Sequence, residues 1–210
     1  MRSVIRQMVL VTEHPCSDLN TEVIHASRIS RTKGTWREVA DSANTTINKE
    51  AGVKEPSSNW KRRMLLCEHS PIRQLLIKCK WYELKYWVSV HIVRHKFGIE
   101  HWVRTQREDR TGQNRDELPQ GNSVEHEFLA DVQAIINISR KRLCYQASKE
   151  TREAWQAVLE SIIGEQPELY QVCVPDCIYR GWCYEYKSCG YHKTQHYQEK
   201  LIEYRNGINE

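Results

Sequence analysis

From Gln74 to Trp81 the chain nearly alternates, with Leu75, Ile77, Cys79 and Trp81 apolar and Gln74, Leu76, Lys78 and Lys80 between them. A period of two places those four side chains on one face of a strand. A Ser70-Pro71 turn precedes it. From Lys85 the period lengthens. Tyr86, Trp87, Val90 and Val93 recur at helical spacing, Val88 and Ile92 broaden the stripe, and the pattern predicts a helix ending near Gly98. The run that follows is polar and cationic, with Arg104, Arg107 and Arg110 three residues apart.

The remaining pattern supplies the flanking elements. Met8 to Thr12 reads as a short strand, Glu22 to Ser30 as a helix, and Thr35 to Glu50 as a polar helix. Pro56-Ser57-Ser58 caps a helix running to about Cys67, with Trp60, Met64 and Leu65 on one side. Arg110 to Asn122 is rich in turn residues and reads as a loop. Ser123 is read as the cap of a long helix whose buried stripe is Leu129, Val132, Ile136, Leu143 and Ala147. After a break near Ser148, Trp155, Val158, Leu159 and Ile162 mark another helix, stopped by Gly164. Val172-Cys173-Val174-Pro175 reads as a short buried strand. No repeat or low-complexity linker interrupts residues 1–210, which predicts a single domain with a Cys-rich C-terminal segment, 173–210.

A chain of 210 residues is long enough to bury a proper core. Its formal charge of +4 suits anionic small ligands or nucleic acid and does not choose between them. No apolar run approaches the roughly 20 residues of a membrane span, and the N-terminus lacks a signal-peptide core. The expectation is a cytoplasmic protein. There, eight cysteines are read as reduced thiols or metal ligands rather than a disulfide framework.

Two clusters carry candidate chemistry. Arg94, His95 and Lys96 close the predicted helix, and His91, Arg94 and His95 share one face. Guanidinium groups there can grip phosphate oxygens in planar pairs; the competing reading is a solvated cationic terminus favoured by the helix dipole. Thr105 and Arg107, two apart in an extended loop, point to one side and could clamp a phosphate. Near the C-terminus Cys173, Cys177, Cys183 and Cys189 have the spacing C-x3-C-x5-C-x5-C, with His192 and His196 just beyond. Four thiolates could close a tetrahedral zinc site. Isolated reduced thiols, a redox pair, and three Cys with His192 are the alternatives.

The order His69-Ser70-Pro71, strand, helix, Arg94-His95-Lys96, Thr105-Gln106-Arg107 resembles the flavin-dependent thymidylate synthases. In that family an H-x-[S/T]-P turn leads a strand, a helix ends in R-H-R, and an S-x-R-Y tetrad follows. Ala26-Ser27-Arg28-Ile29-Ser30 and Gly164 to Pro175 add looser matches, and the likeness covers most of residues 22 to 175. It implies an α+β fold, a central, mostly antiparallel sheet flanked by helices. It also implies FAD as cofactor, held by Ser70, Arg94, His95 and Lys96 in a homotetramer. Thr105 and Arg107 would bind the pyrimidine nucleotide, and the activity implied is reductive methylation of dUMP to dTMP with methylenetetrahydrofolate and NADPH. Lys96 replaces the family's second Arg, Glu108 its Tyr, and its ring-polarising Arg has no counterpart at its spacing. Arg107 and Arg180 are the candidate catalytic residues, Arg180 being the only Arg between Arg152 and Arg205. Two alternatives accompany this reading. One is a family member with a changed pyrimidine substrate or C5 modification; the other is a non-catalytic nucleotide- or nucleic-acid-binding protein with a zinc-binding tail.

Overall fold

A computed structural model describes residues 9–12, 34–43 and 56–209. Strand β1 (Val9–Thr12) is followed by helices α1 (Trp36–Ser42) and α2 (Ser58–Leu66). A 3-10 turn over Ser70–Gln74 leads into β2 (Leu76–Lys85), α3 (Tyr86–Ile92) and β3 (Ile99–Val103). After the short α4 (Glu108–Thr111), β4 (Ser123–Asp131) runs straight into α5 (Val132–Arg142). Then come α6 (Lys149–Ile162), α7 (Pro167–Val172), α8 (Asp176–Arg180) and α9 (Gln195–Asn209).

The strands form an antiparallel sheet in the order β1-β2-β4-β3 flanked by helices, the expected α+β class. Register follows from the alternation. Ile77 faces Ala130, Cys79 faces Phe128 and Trp81 faces His126, so one face is a continuous buried layer. On the other face Lys78 pairs with Glu127 and Lys80 with Glu125, each at 2.8 Å. The buried face packs an aromatic group onto the helices: Trp81 and Phe128 are 5.1 Å apart, and Phe128 stacks on Trp155 of α6 at 5.9 Å. Each indole finds an acceptor, Trp81 Nε1 on the Ala154 carbonyl and Trp155 Nε1 on Ser139 Oγ. Burying one such ring is worth about 4–6 kcal/mol from area alone.

Several elements differ from the sequence expectation. Residues from Ser123 are not one long helix. The first nine form β4, with Val124, His126, Phe128 and Ala130 turned inward, and the helix starts only at Val132. Asp131 ends the strand and caps the helix, its Oδ1 accepting from Ala134 N at 2.7 Å. The helix from Lys85 stops at Ile92, and part of the expected cationic loop is the edge strand β3. An edge strand with one exposed face tolerates the polar residues that made this stretch look irregular. Cys173 closes α7 rather than sitting in a strand, because Pro167 starts a helix there; its side chain is nonetheless buried. The loop expected over Arg110 to Asn122 begins inside α4 and contains a 3-10 turn over Arg115–Glu117. The predicted helix over 22–30, and 44–50 of the next one, lie outside the described residues. A second, smaller core gathers Ile178, Tyr197 and Leu201 beneath the C-terminal segment. No helix among the described residues is long and apolar enough to cross a membrane.

Candidate functional site

The turn joining α3 to β3 carries Arg94, His95 and Lys96. It reverses through Gly98, whose φ of 70° falls in the left-handed region. A Cβ at Gly98 would lie 2.5 Å from the Asp131 carboxylate, so backbone and helix cap are in contact here. Arg73 of the 3-10 turn acts electrostatically on the same carboxylate. The structure thus brings the turn that begins at Ser70 and the turn bearing Arg94 to one place, the β4–α5 junction.

Arg142, in the last turn of α5, completes the cluster and was not singled out from sequence. Its Nε donates to His95 Nε2 at 2.8 Å, and its terminal nitrogen donates to the His91 carbonyl at 2.5 Å. Burial first, then the Arg142 charge and His101, hold the His95 imidazole down at about 4, so it is neutral at pH 7. Since Nε2 accepts, the His95 proton sits on Nδ1. Burial and the Arg94 charge both lower the Arg142 pKa. Among the described residues no carboxylate lies within ion-pair distance of Arg94, Lys96 or Arg142. Cations gathered without counter-charge attract anions.

A chain of buried polar contacts supports the turn from below. His101 Nε2 lies 2.9 Å from the His95 carbonyl, His101 Nδ1 lies 3.0 Å from His126 Nε2, and His126 Nδ1 lies 3.0 Å from Ser89 Oγ. A carbonyl only accepts, so with neutral rings every proton has one direction. Ser89 donates to His126, His126 to His101, and His101 to the carbonyl. Burial first, with His101 adding to it, holds His126 at about 3. This relay was missed because His126 was read as helical; its alternation with Val124 and Phe128 was the available signal.

The other predicted residues fall as follows. Ser70 is exposed at the start of its turn. Thr105 and Arg107 lie past the far end of β3 from His95, on the order of 17 Å away along a five-residue strand. Thr105 Oγ accepts from Arg107 N at 3.2 Å, and the Arg107 guanidinium is engaged by Asp109 through two bonds of 2.9 Å. Between them, Gln106 Nε2 is buried with no hydrogen-bond partner among the described residues. Arg180 pairs with Asp176 at 3.5 Å and lies over the Tyr184 ring, apart from the cationic turn. Cys173 is buried, with the Ser139 hydroxyl near its thiol. Cys177, Cys183 and Cys189 instead gather with Cys144 around a small cavity. Among the described residues no three His, Cys, Asp or Glu side chains already stand in metal-holding geometry.

The largest cavity, about 1260 Å³, is elsewhere, lined by residues such as Arg62, Tyr145, Arg152, Tyr170 and Lys200. None of the predicted nucleotide-site residues lines it, and several of its charges neutralise one another, as in Lys149–Glu153 and Lys200–Glu203. Unneutralised cations mark the α3–β3 turn as the better anion site.

No sequence family and no curated protein matches this chain. Its fold is nevertheless shared with solved structures. One is thymidylate synthase X (ThyX) from Helicobacter pylori with FAD and dUMP, at a TM-score of 0.54 and 11% identity, covering 67% of this chain and 95% of that one. A second structure, described as flavin-dependent thymidylate synthase ThyX from Helicobacter pylori complexed with FAD and dUMP, aligns at a TM-score of 0.52 and 12% identity, covering 66% and 92%. At such identity the likeness establishes the fold, a divergent ThyX-like one.

Proposed function

We propose that this chain is a divergent flavin-dependent thymidylate synthase-like enzyme that binds FAD at the α3–β3 turn and methylates a pyrimidine nucleotide, with dUMP the first candidate. The observation that carries the reading is the pair Arg94 and Arg142, close enough to act on each other's charge, with no ion-pair carboxylate among the described residues and set against a neutral His95. The donor set fits the group. Two guanidinium groups suit the oxygens of a dinucleotide's diphosphate; the unpartnered Gln106 amide lies with Thr105 and Arg107, on the proposed nucleotide side. When bound, the flavin supplies the hydride chemistry, with methylenetetrahydrofolate as the carbon source and NADPH as reductant.

The chain's own residues bind and orient. Arg94 and Lys96 hold phosphate oxygens. Arg142 keeps the His95 ring as the Nδ1–H tautomer, and the His101 contact to the His95 carbonyl fixes the turn. Thr105 and Arg107 hold the nucleotide phosphate once Arg107 releases Asp109. As the resemblance implies, the assembly is a homotetramer with the flavin between subunits. A changed pyrimidine is the second reading, favoured by the commitment of Arg107 to Asp109 and of Arg180 to Asp176.

The test is direct. The purified protein, or protein mixed with added FAD, should show the visible flavin band and form dTMP from dUMP, methylenetetrahydrofolate and NADPH. Arg94→Ala should lose the band while retaining the wild-type circular dichroism spectrum. Flavin binding with turnover of a different pyrimidine would select the second reading. A protein that neither carries nor takes up flavin would overturn both.

A further inference from the structure

A thiol cage lies away from the cationic turn, between α8 and the segment that follows α5. Cys144, two residues beyond α5, Cys177 in α8, and Cys183 and Cys189 in the loop after α8 line one small cavity together with His192. Two glycines in the left-handed region make this possible. Gly181 ends α8 at φ 75°, and Gly190 turns the chain at φ 84°, folding residues 182–189 back over Cys177 and Cys144. Gln146 Nε2 holds the loop by donating to the Lys187 carbonyl at 2.6 Å.

The loop's other contacts are at the surface: Trp182 against the His192 ring at 4.6 Å, Tyr184 under the Arg180 guanidinium, and Ser188 on His192 Nδ1. Trp182, Tyr184 and Tyr186 are exposed, and none of its residues belongs to either apolar core. A segment without its own buried surface needs a cross-link to keep one conformation. The cavity volume is about 10 Å³, room for one ion and too small for a multi-atom iron–sulfur cluster.

We infer that Cys144, Cys177, Cys183 and Cys189 form a structural site for a single thiophilic divalent cation, Zn²⁺, which staples the 182–189 loop to the end of α5. Cys173, the fourth thiol expected from sequence spacing, is not part of it. It is buried, with the Ser139 hydroxyl near its thiol. The chemistry of the donor set selects the ion. Four sulfurs favour a tetrahedral soft-ligand metal, and zinc imposes no geometry of its own. The cage is open in this structure: among the described residues no three donors stand at ligating positions. Metal binding expels the thiol protons and draws the sulfurs in. His192 is held by Ser188 at its Nδ1, 3.0 Å away, and forms a wall of the cavity. The inference is independent of the flavin reading.

The experiment uses the full chain purified without chelator. Elemental analysis should find one zinc per chain. Zinc removed and replaced by Co²⁺ should give the intense visible bands of a tetrahedral thiolate site. Cys173→Ser should keep the metal and its spectrum. Cys144→Ser should weaken Co²⁺ affinity on the order of a hundredfold or more and change the bands. Circular dichroism on each variant separates a lost ligand from a lost fold, and Cys189→Ser, in the loop, gives a second readout should Cys144→Ser not fold. A metal-free protein with disulfides among these cysteines, iron in place of zinc, or metal lost in Cys173→Ser but kept in Cys144→Ser and Cys189→Ser would each overturn the inference.

Discussion

His126 makes stability depend on pH in a way that can be worked out beforehand. Its ring is fully buried, lies 5.3 Å from that of Trp81, and is held neutral near a pKa of about 3. In the unfolded chain it titrates near 6.5. The unfolded state therefore binds the proton first, and stability falls as pH drops below 6.5, the loss being complete near 3. Between pH 7 and pH 5 this one group removes about 2 kcal/mol, since each pKa unit is worth about 1.4 kcal/mol. Replacing it by Gln keeps an N–H donor for His101 and abolishes the titration. Urea unfolding followed by Trp fluorescence, at pH 7 and pH 5, should show wild type losing about 2 kcal/mol more than His126→Gln. Equal losses in the two proteins would refute the assignment of a buried neutral His126.

Other outcomes follow from the same geometry. On the proposed flavin site, Arg142→Ala removes a charge-assisted anchor of the turn and should weaken FAD binding about 10- to 100-fold in a fluorescence titration. Gly98→Ala forces a Cβ against the Asp131 carboxylate at a positive φ and should lower stability by roughly 1–3 kcal/mol in thermal unfolding. Asp109→Ala frees the exposed Arg107 guanidinium. Because a surface pair is worth roughly 0.2–1 kcal/mol, on the proposed function it should tighten dUMP binding up to about fivefold by calorimetry.

Much of this protein was legible in the amino-acid order alone. The alternation from Leu75 to Trp81, the helical stripe after Lys85, the Ser57 cap and the stripe of Trp155, Val158, Leu159 and Ile162 each have a local cause, and each appears as an element. Local periodicity and capping act over a few residues, so they can be read without neighbours. What they could not reveal was long-range pairing. His101 and Val103 became strand residues only because β4 offered an edge, and Ser123 to Asp131 became that strand because its inner face met Trp81 and Trp155. The same holds for the sites. Arg94 and His95 stand out as a cluster in the chain, but Arg142 reaches them from 47 residues away in sequence. Cys144 likewise joins thiols that spacing had grouped with Cys173. Charge and sulfur chemistry are properties of residue types and are written in the sequence. Which of those groups share a few cubic ångströms depends on how the helices pack onto the sheet, and only tertiary structure decides that.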